Sequence, residues 1–221
     1  QWMHKVLKRK KVDIQTDTMA TEIDDEYILV SIGVEGNSSG FGLKKIGIEI
    51  GSNNHIIVDK NGKTNLDNIY AVGDVIGPPW LAHVSSSEGL YVVEHIAKLS
   101  PKKIDYDCVP ACTYSKPEIG SIGLSQKILD ERGIDYKVVK SFFNANGKAV
   151  ASDSTEGFIK ILVSDRNQIL GAHIIGSNAT EMISEFSLAM SNNLSVENIL
   201  DSIHPHPTFS EAIFETLMQL R

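Results

Sequence analysis

His204-Pro205-His206-Pro207-Thr208-Phe209-Ser210-Glu211-Ala212 sets an imidazole five residues ahead of a carboxylate, at the mouth of a helix predicted over 209–220. Imidazole is the one side chain whose ordinary pKa lies near neutrality, so it can take and return a proton at physiological pH. A neighbouring carboxylate fixes its tautomer and steadies the imidazolium, which makes a surface histidine a directed acid–base group. Pro207 removes a backbone donor and one soft dihedral beside His206, restricting how the ring is presented. The run also has a plainer meaning, which taken alone is the commoner one. Thr208 to Glu211 is a capping box, in which the threonine accepts from a first-turn amide and the glutamate reaches back to the cap amide. The two readings are compatible, because His206 precedes the cap and a glutamate reaching back points towards it. His204, His206 and Glu211 also form a conceivable ligand set for a divalent metal. The prolines stiffen the loop, however, and no further ligand is evident in the sequence, so no metal site is expected.

Working outward, residues 105–221 read as an α+β unit. A helix is predicted over 125–132 with Gly133 as its stop. Strands are predicted over 136–141, 157–163 and 168–175, the last two joined by the polar turn Ser164-Asp165-Arg166-Asn167. Helices are predicted over 179–192, 196–201 and 209–220. Residues 35–104 hold a Gly- and Ser-rich loop, short strands and a helix over about 80–99. Residues 1–34 open on a helix-like segment, followed by strand-like runs at Val12–Gln15 and Tyr27–Ile32. The chain starts at Gln1 inside an amphipathic pattern and is expected to be a piece of something longer.

A second informative stretch is Asn68-Ile69-Tyr70-Ala71-Val72-Gly73-Asp74-Val75-Ile76-Gly77. An apolar strand ending in Gly-Asp, followed by a loop and a helix, places a carboxylate at a strand's C-terminal edge, where α/β sheets bind ligands. Asp74 could accept hydrogen bonds from ligand hydroxyls. The helix start at Pro79-Trp80-Leu81-Ala82-His83 offers unpaired amides and the positive end of a dipole to a partial anion. Without its neighbours, strand-Gly-Asp is a plain turn, and His83 is as readily a helix-face histidine.

Composition narrows the function classes. Forty-two per cent hydrophobic and 22% charged residues describe an ordinary globular chain. A net charge of −7, with no basic stripe, argues against nucleic acid as a partner. The one basic cluster, Lys5, Lys8, Arg9, Lys10 and Lys11, reads as a solvated helix face. No apolar stretch approaches the ~20 residues of a membrane span, and no signal-peptide core is visible, so no membrane partner is expected. Cys108 and Cys112 flank Pro110 in a segment that reads as extended. That spacing puts their α-carbons about 13 Å apart, against a limit of ~7 Å for a disulfide. They are expected to be reduced, buried thiols, consistent with a cytoplasmic compartment. Gly40-Phe41-Gly42 lacks the third glycine of a phosphate-binding fingerprint, since Lys45 stands in its place.

His-Pro-Thr-x-x-Glu near the C-terminus resembles the pyridine-nucleotide disulfide oxidoreductases, and His-x-His-Pro-Thr-Phe-Ser-Glu-Ala is most similar to their dihydrolipoyl dehydrogenase branch. Further similar runs include Leu29–Gly33, Gly42–Gly47, Ile104–Pro110, Tyr114–Ile119 and Ala145–Ala149. The resemblance implies His206 as the proton carrier of dithiol–disulfide exchange and Glu211 as its orienting carboxylate, while His204 fits the pattern without a chemical step. It implies Asp74 as a ligand of the ribityl chain of FAD, with Leu81, Ala82 and His83 along the flavin ring. Trp80 stands where the family has methionine. It also implies an antiparallel dimerisation domain over 105–221, preceded by C-terminal segments of the NAD-binding (1–34) and FAD-binding or central (35–104) α/β domains. A homodimer follows, serving the lipoyl-bearing subunit of a 2-oxo acid dehydrogenase complex, in the bacterial cytoplasm or the mitochondrial matrix.

The chain departs from the family in three ways. Val34-Glu35-Gly36 replaces Arg-Pro after the strand glycine, 16–23 is shortened, and neither dinucleotide fingerprint nor the redox C-x-x-x-x-C pair occurs in the sequence. The chain by itself is therefore expected to be inactive. The alternatives are a non-catalytic dimerisation module or a related disulfide reductase such as glutathione reductase. A mercuric reductase would carry C-terminal cysteines, and none follows Cys112.

Overall fold

The computed structural model describes residues 2–221, and the chain divides into two compact units, residues 1–35 and 36–221. In the first, helix α1 (Trp2–Arg9) turns Val6 inward and ends in Lys8 and Arg9, cations placed favourably at the negative end of the helix dipole. Lys5, Lys8, Arg9, Lys10 and Lys11 are exposed, and Lys11 in the left-handed region closes the helix. Neither Val12–Gln15 nor Tyr27–Ile32 forms the expected strand. Period-two sequence produces a strand only where a second strand takes up its backbone groups. Among the described residues none pairs here, leaving Tyr27, Leu29 and Ile32 at 86%, 94% and 92% exposure.

The second unit is built on one antiparallel sheet. Its strands are β1 (Ala111–Thr113), β2 (Glu118–Gly123), β3 (Lys137–Phe142), β4 (Phe158–Val163) and β5 (Ile169–Gly176), in the order β1-β2-β5-β4-β3. Residues opposite one another share a face. The register Ile122↔Ala172↔Ile161↔Val139 therefore draws an apolar row across four strands, all of it buried. One residue along, Ser121↔His173↔Lys160↔Lys140 forms a polar row on the opposite face. Asn167 closes the β4–β5 turn onto the Ser164 carbonyl, as the polar turn implied.

In chain order the helices are α2 (Ala82–Ile96), α3 (Gln126–Arg132), α4 (Gly147–Ala151), α5 (Ala179–Ser191), α6 (Val196–Leu200) and α7 (Glu211–Leu217), of which α4 to α7 supply residues to the core on the apolar face. Helix α5 packs on β2 and β5, and α7 on β3 and β4. Phe143, Phe186, Ile213 and Leu217 are completely buried between the layers. Helix α3 is stopped by left-handed Gly133, as its sequence predicts, and Ser125 caps it by accepting from the Ile128 amide.

Three features differ from expectation. The run before Gly73 is not a strand: its only ladder contact is the isolated bridge Lys63↔Tyr70, and Gly73–Ile76 is a 3₁₀ turn. Strands β1 and β2 were not foreseen: β1 is only three residues, Ala111-Cys112-Thr113, and in β2 Gly120 and Gly123 break the apolar alternation that marks a strand. The glycine at 120 has a packing reason. A β-carbon there would stand 2.5 Å from the Ala179 carbonyl oxygen and 3.1 Å from Cβ of Ile183. Helix α5 lies this close to β2 only because position 120 has no side chain. Gly120→Val is expected to lower unfolding stability by about 2 kcal/mol or more, measured by chemical denaturation; an unchanged midpoint would show that α5 can move away without loss.

Candidate functional site

The loop between α6 and α7 presents the two residues singled out in the sequence. His206 Nδ1 lies 2.8 Å from Glu211 Oε1, and the other oxygen, Oε2, accepts from the Thr208 amide at 2.8 Å. One carboxylate thus holds both the ring and the loop's backbone. A carboxylate oxygen only accepts, so Nδ1 carries the proton of the pair. The His206 side chain is 79% exposed while that of Glu211 is 22% exposed, so the ring's far edge opens to solvent.

The capping box forms only in part. Its glutamate half is the Thr208 amide bond, but α7 begins at Glu211, and Thr208 Oγ1 donates to the Pro205 carbonyl (2.7 Å) instead of accepting from the helix. Threonine here tightens the turn that carries His206. Two further residues support the loop without having been assigned a role from sequence. Asn146, 1% exposed, donates to the Thr208 carbonyl (3.1 Å) while its Oδ1 caps α4 at the Ala149 amide. Glu185, on α5, contacts His204 Nε2 at 3.0 Å. Asn146 lay inside a run already noted, where Asn before Gly at a helix start was the available signal; nothing local marks Glu185. Phe209 anchors the loop's far side edge-on to Phe143, with ring centroids 5.9 Å apart. Beside it opens a groove of about 400 Å³ lined by Met182, Glu185, Pro207, Thr208 and Ser210 among others.

The Glu211 carboxyl is held below the ordinary value of 4.5, first by the Thr208 amide, then by the bond to His206. Among the described residues no cluster of three His, Cys, Asp or Glu side chains could hold a metal ion.

Comparison with known proteins places the chain in a family. Residues 109–217 match the dimerisation domain of the pyridine nucleotide-disulphide oxidoreductases, and residues 1–89 match the pyridine nucleotide-disulphide oxidoreductase domain itself. The chain belongs to the pyridine nucleotide-disulphide oxidoreductase family. It is 39% identical to a dihydrolipoyl dehydrogenase of Bacillus subtilis over 87% of this chain and 41% of that one. It is 38% identical to the mitochondrial dihydrolipoyl dehydrogenase of Caenorhabditis elegans over 93% of this chain and 41% of the relative. The chain thus spans about two fifths of the length of these relatives. Among solved structures it resembles LpdA of Mycobacterium tuberculosis, with a TM-score of 0.80 at 27% identity over 85% of this chain and 41% of the other. It also resembles the HOCl-induced flavoprotein disulfide reductase RclA of Escherichia coli, with a TM-score of 0.76 at 25% identity over 85% and 43%.

For an oxidoreductase of this family, the stretch from Asp74 to His83 is the second place of interest. Asp74 is exposed on the 3₁₀ turn, Leu81 is half-buried, and Ala82 and His83 are exposed in the first turn of α2. No side chain among the described residues caps that helix. His83 is not open to a ligand through Nε2, which meets the Pro110 carbonyl at 2.9 Å. Nearby, His55 stands tilted against Trp80 with centroids 6.4 Å apart, and its buried Nε2 has no hydrogen-bond partner among the described residues. An uncapped helix start, an exposed carboxylate and an orphaned imidazole nitrogen on one stretch fit a polar ligand.

Cys108 and Cys112 are not paired, and both are half-buried rather than buried as expected. Burial, and then the Asp105 carboxylate that accepts from its Sγ at 3.3 Å, push the Cys108 thiol up to about 11. A thiol so protonated is a poor nucleophile.

Because the folded-state pKa of Glu211 is depressed, its contribution to stability is complete above 4.5 and is lost as the pH falls through the folded value. Glu211→Gln is expected to flatten the fall in denaturation midpoint below pH 5; an acid limb identical to that of the parent chain would show that the bonds to Thr208 and His206 do not stabilise the fold.

Proposed function

We propose that this chain supplies the acid–base and dimer-forming part of a dihydrolipoyl dehydrogenase, the flavin-dependent enzyme that reoxidises dihydrolipoamide with NAD. The observation that carries the reading is the 2.8 Å contact between His206 Nδ1 and Glu211 Oε1, with the remaining ring nitrogen turned to solvent. With Nδ1 protonated towards Glu211, Nε2 accepts a proton from a dithiol substrate, whose thiolate can then attack a disulfide. Glu211 steadies the imidazolium that results and holds its plane through the reaction. Proton return from the same Nε2 completes the cycle without any change in Glu211.

When bound in the complete enzyme, FAD would supply the two-electron acceptor that links the dithiol to NAD. In this chain Asp74 would accept from its ribityl hydroxyls. Leu81, Ala82 and His83 at the start of α2 would line the flavin ring, with the Ala82 and His83 amides, rather than that of Leu81, which donates to the Pro79 carbonyl, available to it. On this reading residues 1–34 close the NAD-binding domain, 35–104 belong to the FAD-binding and central part, and 105–221 form the dimerisation domain. A homodimer would bring His206 of one copy to the flavin and disulfide of the other, at a site reached by the lipoyl-bearing subunit of a 2-oxo acid dehydrogenase complex.

The relatives carry this name, and the His-x-His-Pro-Thr-Phe-Ser-Glu-Ala run favours it over glutathione reductase. The 221 residues contain neither a C-x-x-x-x-C pair nor a complete dinucleotide fingerprint. The chain by itself is thus expected to sediment as a dimer and to show no lipoamide-dependent oxidation of reduced nicotinamide. Turnover near that of a full-length relative would refute this account of its parts. The catalytic claim is tested in a chimera that joins residues 36–221 to the preceding portion of the Bacillus subtilis relative. There His206→Gln should lower dihydrolipoamide oxidation by about 10²- to 10⁴-fold, and an undiminished rate would remove His206 from the chemistry.

A further inference from the structure

The loop that presents His206 holds a second imidazole paired with a second carboxylate. His204 Nε2 lies 3.0 Å from Glu185 Oε1, and its Nδ1 lies 3.2 Å from the Ser202 carbonyl oxygen. The two pairs differ in access. The His204 side chain is 9% exposed and that of His206 is 79% exposed, so the inner ring is shut away from any substrate that could reach the outer one.

The surroundings of His204 come from three elements. Glu185 faces it from α5, the Phe214 ring lies 6.0 Å away on α7, and Ser202 supplies a carbonyl from its own loop. Both oxygens that meet its nitrogens can only accept, an arrangement that the doubly protonated ring satisfies completely and a neutral ring satisfies by half. A neutral ring would also leave a carboxylate or a carbonyl facing a lone pair, which is repulsive at 3 Å. The geometry thus offers each ring nitrogen an acceptor.

Resting on the reading of His206 and Glu211 as the proton-carrying dyad, we propose that His204 and Glu185 are positioning residues for it. Glu185 ties the loop to the packed helix α5 and holds His204 two residues before His206, where a charged ring favours the ionised form of Glu211. Ionised Glu211 is what fixes His206 with its proton on Nδ1. The effect of His204 on the Glu211 carboxyl is downward, in the same direction as that of His206. Glu215, also on α7, is pushed up first by burial and then by the neighbouring Glu211 charge. The inner histidine does not carry a proton to substrate. It sets the protonation state of the residue that orients the one that does.

The test uses the 221-residue chain labelled with ¹⁵N in histidine and ¹³C in the glutamate carboxyls. At a pH where Glu185 and Glu211 are both ionised, the wild-type spectrum should show a proton on each ring nitrogen of His204. A pyridine-type nitrogen signal from that ring would overturn the proposal. His204→Gln keeps a donor towards Glu185 and removes the charge. It should raise the titration midpoint of Glu211 by roughly half a pH unit, a shift that loss of packing alone does not produce. An unmoved midpoint in folded His204→Gln would also overturn the proposal, and where that variant does not fold the wild-type nitrogen spectrum decides alone. Failure of the dyad reading looks different. His206→Gln would then leave chimera turnover intact while the Glu211 midpoint still shifted in His204→Gln.

Discussion

Helix α5 can lie against β2 only where the sheet offers it a surface without side chains, and Gly120 is that surface. A β-carbon at this position would meet backbone of Ala179 and the side chain of Ile183, groups that cannot rotate out of the way. The depth at which α5 sits determines where Glu185 emerges one and a half turns later, and Glu185 is the anchor for His204. The loop carrying His206 hangs from that anchor at one end and from Glu211 on α7 at the other. A contact in the sheet's interior therefore sets, through a rigid helix, the position of an exposed imidazole. Overpacking at 120 should be felt at the loop as well as in the core.

Glu211 illustrates how little is needed to make a reactive arrangement from an ordinary helix start. A glutamate that reaches back to a loop amide is a common device for ending a turn. Its second oxygen is normally left to water. Here that oxygen meets an imidazole, so the same carboxylate that orders the backbone also selects the ring's tautomer. Structural and chemical roles share one side chain, and substitution at 211 cannot separate them as substitution at 206 can.

Much of the second unit was legible because its signals are local. Ser125 and Gly133 bracket α3 by capping chemistry alone, and the Ser164–Asn167 turn announces the β4–β5 hairpin. The His206–Glu211 contact was legible for the same reason, since five residues and a helix start bring the two together. What escaped is non-local. Glu185 is 19 residues from His204, and Asn146 is 62 from Thr208; no periodicity links either pair. Strand β2 escaped because glycine, required where α5 approaches, is also the residue that hides a strand. Tyr27–Ile32 failed in the opposite sense: its composition is that of a strand, but composition supplies no neighbour.

That unpaired run has a bearing on how the molecule behaves among its own copies. Six consecutive residues, Tyr27-Ile28-Leu29-Val30-Ser31-Ile32, have open ladder groups and little charge, which is the description of a template for edge-to-edge addition. Two kinds of self-association then compete. One, the proposed dimer through residues 105–221, would be closed and symmetric and would stop at two copies. The other is open-ended, grows with concentration, and has no geometric reason to stop. Acidic Glu22, Asp24, Asp25 and Glu26 immediately precede the run and act as gatekeepers against the second. Their repulsion is screened by salt, so the balance between a finite assembly and an unbounded one is set by the ionic strength of the medium.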